Sequence, residues 1–512
     1  EAFVNAIVNR SVLTQPLDLS KEAQPTPAKE PKKGAKDAPA KKSKKPKQVL
    51  SSWAEAFIEA MSVLEGSEPD ATVQAQQRLN SVLASAAKPG APRDALPITL
   101  RALGYIAAST SHLDRAEAAY KRALTEAQRK GPDSPVLCGC LRDLAVLSRE
   151  LCRHGEAMEY WDKAVGALGA YLKADKSHSA ADAEALRFEL QLCRADCLRD
   201  LGKYAESEAL ARKVLSWRER QLGAKAPLTL AAVYDVSKCL RAKHLAGDTP
   251  VGASPPANGA QNGTLHCAGA EEEGGGGGFA ARLDSMGEAA AELDARWTEG
   301  LQALCAEAGG IKWAEHLVML ASVGQLHKAH AEAVYLFRKA RPAYEARHDD
   351  IAAAAAAGTP PPEAEGASAS DLALEFAELL NSLGESLLEL RHLEPAANAF
   401  DLAHAQVVEA QGEDDPSVAS VEANQAKLLA EKGETDAALS LFTRAHGITS
   451  AASESSLQDA DEVGKLVMHQ ALHARVLKLY GEFLGSMGRT EEAAEMKRQT
   501  EALEATYGFS TQ

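Results

Sequence analysis

The chain has 512 residues and a formal net charge of −16, and only 5% of its residues are aromatic. This composition favours closely packed helices and argues against a sheet-built core. No apolar run approaches the roughly 18 residues of a membrane-spanning helix, and the 8 cysteines follow no CxxC or disulfide-like spacing. We therefore expect a helical protein of a reducing intracellular compartment, with most cysteines acting as small buried hydrophobes.

Residues 1–49 differ in composition from the rest of the chain. The first 50 residues contain 11 Lys and Arg against 5 Asp and Glu, which leaves the remainder acidic. Lys, Pro and Ala dominate residues 20–48 and offer little to bury, which predicts a disordered arm. Its charge could contact microtubules, nucleic acid or an anionic membrane, and a solvated tail without a ligand is the simpler alternative. Because the chain begins at Glu1 without a methionine, we expect a processed or truncated start.

Helical periodicity begins in residues 50–94. Trp53, Phe57 and Met61 recur at helical spacing, and a second helix is predicted from Val73 to Ala87. This pair lacks the pattern of small and aromatic residues that follows it, so we expect it to cap the N-terminal end of the core.

A short pattern of small and aromatic residues then recurs along the chain. Its best copies are Gly104, Ala116, Tyr120 and Ala123, then Ala145, Ala157, Trp161 and Ala164, and finally two copies 42 residues apart, Gly384, Ala396, Phe400 and Ala403 with Ala426, Ala438, Phe442 and Ala445. Two antiparallel helices approach closely where each presents a small side chain, so the pattern predicts helical hairpins. The aromatic residue is expected to fill the gap towards the next hairpin, because a single hairpin cannot bury its apolar face alone.

Two low-complexity segments interrupt the repeats. The first is rich in Gly and follows a predicted helix at Leu228–Leu245, and the helix resuming near Phe279 is expected to complete the same hairpin. The second contains a run of alanines that ends at prolines. We also expect Gly412, Gly433 and Gly447 to mark helix ends.

The predicted organisation has seven parts. They are a disordered Lys/Pro/Ala-rich arm at 1–49, capping helices at 50–94, repeats 1–3 with the first helix of repeat 4 at 95–247, a Gly-rich insertion at 248–278, the rest of repeat 4 with repeat 5 at 279–348, an Ala/Pro-rich insertion at 349–370, and repeats 6–8 with a C-terminal cap at 371–512. Lys497 replaces the aromatic residue of the last hairpin, as expected where no further hairpin packs.

The repeats resemble the tetratricopeptide repeat superfamily, and their period of about 42 residues, against the usual ~34, resembles that of kinesin light chains. The stretch CLRDLGKYAESEALARKVL at 197–215 and the turn GEDDP at 412–416 carry the same resemblance. It implies an all-α solenoid of helical hairpins, about seven or eight of them in a right-handed superhelix. Residues 1–95 contain no sustained heptad pattern, so we expect a light-chain-like scaffold and not a motor light chain.

Tetratricopeptide arrays bind extended peptides along the face formed by the first helix of each hairpin. Carried over by position, the resemblance implies groove residues at Arg101, Tyr105, Arg142, Arg149, Arg199, Lys238, Arg241, Asn381 and Asn424. The first four repeats would then offer a basic surface to an acidic peptide, and the later repeats are neutral to acidic. The alternative is that acids such as Glu150, Asp196 and Asp200 neutralise the arginines and leave an ordinary solvated face.

No motif for catalysis or cofactor binding is recognised. The chain lacks a Gly-rich phosphate loop after a strand, a GxSxG motif and an HExxH motif. His469 and His473 lie four residues apart on a predicted helix, but no nearby acid or cysteine completes a metal site. We predict no catalytic residue, no cofactor and no metal.

These observations predict a non-catalytic scaffold or adaptor that binds protein partners within a larger assembly. A cytoskeletal or ciliary complex, in the cytoplasm or cilium, is favoured. The alternatives are an organellar assembly or RNA-associated factor of a plastid or mitochondrion, and a regulatory subunit of an enzyme complex. The acidic body argues against RNA, because phosphate binding needs a basic stripe.

Overall fold

A computed structural model describes residues 52–65, 71–88, 91–110, 112–131, 134–174, 180–247, 281–306, 311–326, 328–356, 369–458 and 463–507. The predicted arm, the Gly-rich insertion and most of the Ala/Pro-rich insertion lie outside these residues. Throughout the described ranges the regular elements are helices, as predicted, and none of those helices combines the length and hydrophobicity needed to span a bilayer. The chain divides into two compact units, an N unit that ends at Leu201 and a C unit that begins at Gly202.

The N unit consists of helices joined by short turns. Their bounds are α1 Ser52–Ser62, α2 Ala71–Ala86, α3 Ala95–Ser109, α4 Leu113–Lys130, α5 Pro135–Glu150, α6 His154–Ala174 and α7 Ala180–Asp200, with one 3-10 turn at Val63–Glu65. Consecutive helices pack as antiparallel neighbours, and α1 docks on α3 through a hydrogen bond from Trp53 Nε1 to Thr99 Oγ1 of 3.1 Å. The first two helices thus join the same apolar core as the hairpins that follow.

The C unit continues the same arrangement. Its helices are α8 Tyr204–Leu222, α9 Pro227–Ala246, α10 Ala291–Cys305, α11 Lys312–Leu326, α12 His330–Ala356, α13 Ala369–Glu389, α14 Leu393–Gln411, α15 Pro416–Glu431, α16 Thr435–Gln458, α17 Val463–Ser486 and α18 Thr490–Tyr507, with a 3-10 turn at Glu288–Ala290. Following the sequence pattern, we call the odd-numbered helices from α3 to α17 the A helices and the even-numbered helices from α4 to α18 the B helices.

Small residues let the helices approach closely within each hairpin. A Cβ atom added to Gly104 would lie 2.5 Å from the Tyr120 ring, and one added to Gly384 would lie 2.5 Å from the Phe400 ring. The aromatic residue therefore packs on the glycine of its own hairpin. Phe442 also reaches the next hairpin, where its ring centroid lies 5.5 Å from that of Tyr480. The repeated pattern thus forms both the seam within a hairpin and the contact between hairpins.

The turns between A and B helices use left-handed backbone. Gly433 and Gly488 adopt φ of 83° and 78°, and Cys152, Lys328 and Arg391 adopt φ near 60° without being glycine. After α15, the amide of Glu434 donates to Leu429 O at 2.9 Å, which closes the helix end. The prediction for Gly447 is wrong, because that residue lies inside α16.

The hairpin interrupted by the Gly-rich insertion is completed by α10, which packs on α9. Gly300 of α10 lies so close to α9 that an added Cβ would be 2.5 Å from the Leu230 side chain. At the C-terminal end, Thr500 is the buried residue of α18 and Lys497 is exposed. The last helix therefore covers α17 with one face and presents polar residues on the others, as a cap does.

Candidate functional site

The A helices of each unit lie beside one another, and bonds between their side chains cross-link successive hairpins. In the N unit these bonds join α3 to α5 and α5 to α7. In the C unit they join α11 to α13, α13 to α15 and α13 to α17. We call the exposed side of these helices the A-helix face of each unit. The groove residues predicted from the sequence lie on the same helices, and several of them are buried.

Arg101 does not line an open groove, which corrects its sequence-based placement. Its side chain is buried, and its Nε donates to Asp143 Oδ2 at 2.6 Å. The guanidinium also lies over Gly139, where an added Cβ would be 2.5 Å from Nη1. Helical spacing assigned Arg101 to the correct side of α3, but α5 approaches that side closely and covers it. Arg101 therefore links α3 to α5 through an ion pair and is inaccessible to a ligand.

Arg149 and Arg199 are paired with carboxylates on α7. Arg149 Nε donates to Asp200 Oδ2 at 2.5 Å, and Arg199 Nη1 donates to Asp196 Oδ1 at 2.6 Å. Burial alone would raise the pKa of Asp200, yet Arg149 and Arg199 outweigh burial and hold it below its ordinary value. Both arginines are thus neutralised, in agreement with the alternative interpretation of this face.

Tyr105 and Arg142 keep part of their surface open. Tyr105 is half-buried, and burial raises the pKa of its hydroxyl. The Arg142 side chain is 34% exposed, and its Nε lies 3.7 Å from Asp143 Oδ1. Nearby Glu150 is half-buried as well, and burial raises the pKa of its carboxyl to about 7. The A-helix face of the N unit is therefore close to neutral, and Arg142 is its accessible cation among the predicted groove residues.

Arg241 is buried in the C unit inside a polar and aromatic cluster, which corrects its predicted exposure. Its Nε donates to Glu332 Oε2 at 3.0 Å, Nη1 donates to Asp294, and the guanidinium lies 4.2 Å from the Tyr335 ring centroid. Trp297 Nε1 donates to Asp294 Oδ1 at 2.7 Å. The cluster joins helices α9, α10 and α12. Lys238, on the same helix as Arg241, is half-buried beside the Tyr234 ring.

Asn381 and Asn424 are buried and bonded to each other. Asn424 Nδ2 donates to Asn381 Oδ1 at 2.9 Å and to Glu385 Oε1 at 2.7 Å. They do not line an open groove, which corrects their sequence-based placement. They link α13 to α15 instead.

Charged side chains near these asparagines remain partly exposed while they cross-link the hairpins. Lys427 Nζ donates to Glu389 Oε1 at 2.6 Å, and the two side chains are 36% and 43% exposed. Arg475 of α17 pairs with Glu385. On the other side of α13, Gln325 Nε2 donates to Ser382 O at 2.8 Å. The A-helix face of the C unit thus holds its polar groups in fixed positions.

The two histidines that raised the question of a metal each bond a hydroxyl group. His469 Nδ1 lies 2.6 Å from Ser456 Oγ, and His473 Nδ1 lies 2.9 Å from Thr449 Oγ1. Within the described residues, no group of three His, Cys, Asp or Glu side chains could hold a metal ion. The histidines belong to a polar seam between α16 and α17.

Acidification is expected to loosen this seam. Burial, helped by the neighbouring His446, lowers the pKa of His473 to about 4. The unfolded chain therefore binds a proton at this histidine near pH 6.5, before the folded chain does, and stability falls as the pH drops from about 6.5 towards 4. We expect a loss of about 1–2 kcal/mol between pH 7.5 and pH 5. Hydrogen exchange of the α16 and α17 amides measures it. The same loss in a His473→Gln variant would contradict the assignment.

No family model and no curated protein matches the chain. Among solved structures, it is similar to the nearly identical TPR-like repeats of a kinesin light chain-like protein from Podosopora anserina, with 16% identity, 37% of this chain and 85% of that chain covered, and a TM-score of 0.31. It is also similar to a tetratricopeptide repeat protein from Parabacteroides merdae, with 14% identity, 69% and 93% covered, and a TM-score of 0.31. A Rap protein complexed with competence and sporulation factor is 12% identical, with 89% and 98% covered and a TM-score of 0.30.

The chain is an array of repeated helical hairpins. Its own geometry carries this assignment, because paired helices repeat with a small residue on the A helix packed against an aromatic residue on the B helix. Sequence reasoning named Asp196 and Asp200 as neutralising acids, but it missed the pairing of Arg101 with Asp143 and the bond between Asn381 and Asn424. Asp143 follows Arg101 by 42 residues, and Asn424 follows Asn381 by 43. A search for polar residues spaced one repeat period apart could have found these partners in the sequence.

Proposed function

We propose that this protein is a non-catalytic scaffold that binds other proteins on its A-helix faces. The observation that carries the proposal is the set of charged side chains fixed between hairpins yet partly open, of which Lys427 and Glu389 are the clearest pair. A surface whose side chains are already ordered loses less conformational entropy when a partner binds. Stacked hairpins also extend this surface over several helices, which suits a protein partner better than a small molecule.

We propose a partner class that differs from the acidic peptide expected from the sequence. In the N unit, Arg101, Arg149 and Arg199 are all paired with aspartates, so they contribute little attraction to an acidic ligand. We propose that Arg142 supplies a local contact to a protein partner of mixed charge. Its side chain keeps 34% of its surface open beside Asp143, so the guanidinium can also donate to a carboxylate or a backbone carbonyl of the partner.

Charge reversal at Arg142 tests this proposal. We expect an Arg142→Glu variant to lose about 5- to 10-fold in the capture of its N-unit partner, because one favourable contact becomes repulsive. Arg122→Glu is the matched control, since Arg122 is exposed on the B helix α4 and the net charge changes equally. Tagged proteins purified from native cells and quantified by mass spectrometry give the measurement. Equal partner recovery from all three proteins would contradict an A-helix binding face in this unit.

We further propose an intracellular, reducing location. Cys193, Cys197 and Cys239 are buried as small hydrophobes, which supports this location. The purification described above also separates the possible assemblies. Tubulin, axonemal or motor proteins among the specific partners would favour a cytoskeletal or ciliary scaffold, and plastid, ribosomal or import components would favour an organellar one.

A further inference from the structure

Two rows of side chains on the A-helix face of the C unit have matching helical spacing. The row on α11 contains Glu315, Met319, Ser322 and Leu326, and the row on α13 contains Asp371, Glu375, Glu378, Ser382, Glu385 and Glu389. Steps of three and four residues keep each row on one side of its helix. We call these two rows together the acidic strip.

Contacts along both helices place the two rows side by side. Gln325, next to Leu326, donates from Nε2 to Ser382 O at 2.8 Å and to Ser386 Oγ at 2.9 Å. Nearer the start of both helices, the charge of Glu315 acts on Glu375. The helices therefore run in the same direction, and equivalent turns of the two rows face a common surface.

Apolar side chains interrupt the carboxylates of this strip. Met319 is 45% exposed and Leu326 is 74% exposed. They lie seven residues apart, two turns of the same face of α11, with exposed Ser322 between them. An exposed apolar side chain is ordinary when it occurs alone, but two on one face of an A helix offer anchoring points for a partner.

The carboxylates near the start of the strip repel one another, whereas Glu385 and Glu389 pair with Arg475 and Lys427. Burial raises the pKa of Glu375, and the neighbouring charges of Glu315, Asp371 and Glu378 raise it further. Glu375 and Glu378 are both exposed, and within the described residues neither forms an ion pair or a side-chain hydrogen bond. Lys312 and Arg475 lie near enough to offset part of the repulsion, Lys312 at Glu375 and Arg475 at Glu378. Residues 369–507 carry 25 acidic and only 10 basic side chains, so the surrounding field is also negative. A cationic partner would relieve this repulsion.

We propose that the acidic strip binds a Lys- or Arg-rich segment of a partner protein that also carries apolar side chains. Its cations pair with Glu375 and Glu378, and its apolar side chains cover Met319 and Leu326. This proposal rests on the proposed scaffold function, and it specifies the chemistry of the partner that the C unit binds. Charge complementarity selects the basic segment over an acidic or a purely apolar one.

A labelled 12-residue peptide of alternating Lys and Leu clusters is the probe, and a peptide with Glu in place of Lys is its control. Fluorescence anisotropy with the full chain measures binding at 50 mM and 300 mM salt. We expect the Lys peptide to bind and the Glu peptide not to bind. Higher salt should weaken binding severalfold, because exposed charges are screened beyond about 8 Å at physiological ionic strength. No binding of the Lys peptide, or binding that salt does not change, would overturn the proposal.

Two pairs of variants locate the binding. Glu375→Lys combined with Glu378→Lys should weaken the Lys peptide about tenfold, while Glu409→Lys combined with Glu454→Lys adds the same charge on exposed positions of B helices and should change binding less than about twofold. Met319→Ser should weaken binding about threefold. Leu402→Ser is its control, since Leu402 is 44% exposed on α14. Equal effects of a variant and its control would overturn the strip as the binding site.

Two further outcomes are distinguishable. If deletion of residues 20–48 tightens peptide binding, the chain's own lysines compete for the strip, and the proposal of a partner segment is wrong. If the Lys peptide fails to bind while native partners are still captured and lost on Arg142→Glu, only the acidic strip is rejected. The scaffold function itself fails when neither A-helix face affects partner recovery.

Discussion

Replacing Arg241 with methionine is expected to destabilise the C unit by about 3–5 kcal/mol, because it leaves two buried carboxylates without their cation. Asp294 and Glu332 are both nearly inaccessible to water, and Arg241 bonds each of them. Tyr234 Oη also donates to Glu332 Oε1 at 2.9 Å, so the loss extends through a connected network. Methionine keeps most of the buried volume, and the cost is therefore electrostatic rather than a cavity.

Thermal unfolding and hydrogen exchange of the α9, α10 and α12 amides measure this effect. Lys243→Met is the matched control, because Lys243 lies two residues away on the same helix and is exposed. That variant should change stability by less than about 0.5 kcal/mol. Adding Asp294→Asn and Glu332→Gln to Arg241→Met should recover part of the loss, since no buried charge then remains unpaired. A similar destabilisation by Lys243→Met and Arg241→Met would show that the cluster has no special role.

Replacing Gly384 with valine is expected to destabilise the repeat formed by α13 and α14 by about 2–3 kcal/mol. The first added carbon would already lie 2.5 Å from the Phe400 ring, and that ring is completely buried. The ring has no free space to enter, so the two helices must separate. Combining Gly384→Val with Phe400→Leu should recover stability, because the smaller side chain makes room for the added methyl groups.

Gly447→Ala is the control for this experiment. Gly447 is exposed inside α16, and nothing lies within 4 Å of an added Cβ. Alanine should therefore stabilise this helix by about 0.5–1 kcal/mol through its better helix propensity. Urea unfolding of the full chain, followed by hydrogen exchange in α13, α14 and α16, separates the two effects. Destabilisation by both substitutions, or by neither, would contradict the seam described for Gly384.

The fold was predictable because small and aromatic residues repeat with a constant spacing. Gly384 and Phe400 meet in one hairpin, and Phe442 reaches the next one, as their spacing predicts. The glycine at position 447 was misread because glycine also occurs inside long helices, and α16 continues for 24 residues. A single glycine without other turn residues does not determine a helix end.

The groove was harder to predict than the hairpins. Spacing places Arg101 and Asn381 on the correct side of their helices, but it does not tell how closely the next A helix approaches that side. Both residues are buried by this approach and bond a partner about one period further along the chain. By contrast, the Arg142 side chain on α5 stays 34% exposed. The distance between two helices depends on the packing of all side chains in their interface. The sequence of a single helix therefore does not determine it.

The residues on either side of the Gly-rich insertion contact each other within the C unit. Arg282 Nε donates to Leu245 O at 3.0 Å, and His244 Nε2 lies 3.0 Å from Ser285 Oγ. Since closing a longer connection costs only about 0.6 kcal/mol per doubling of its length, evolution or a protein engineer can lengthen this stretch, shorten it or replace it with a fluorescent reporter. Such changes should leave the register of the flanking repeats unchanged. The stretch between Gly247 and Arg282 is therefore a suitable site for inserting an additional sequence or domain.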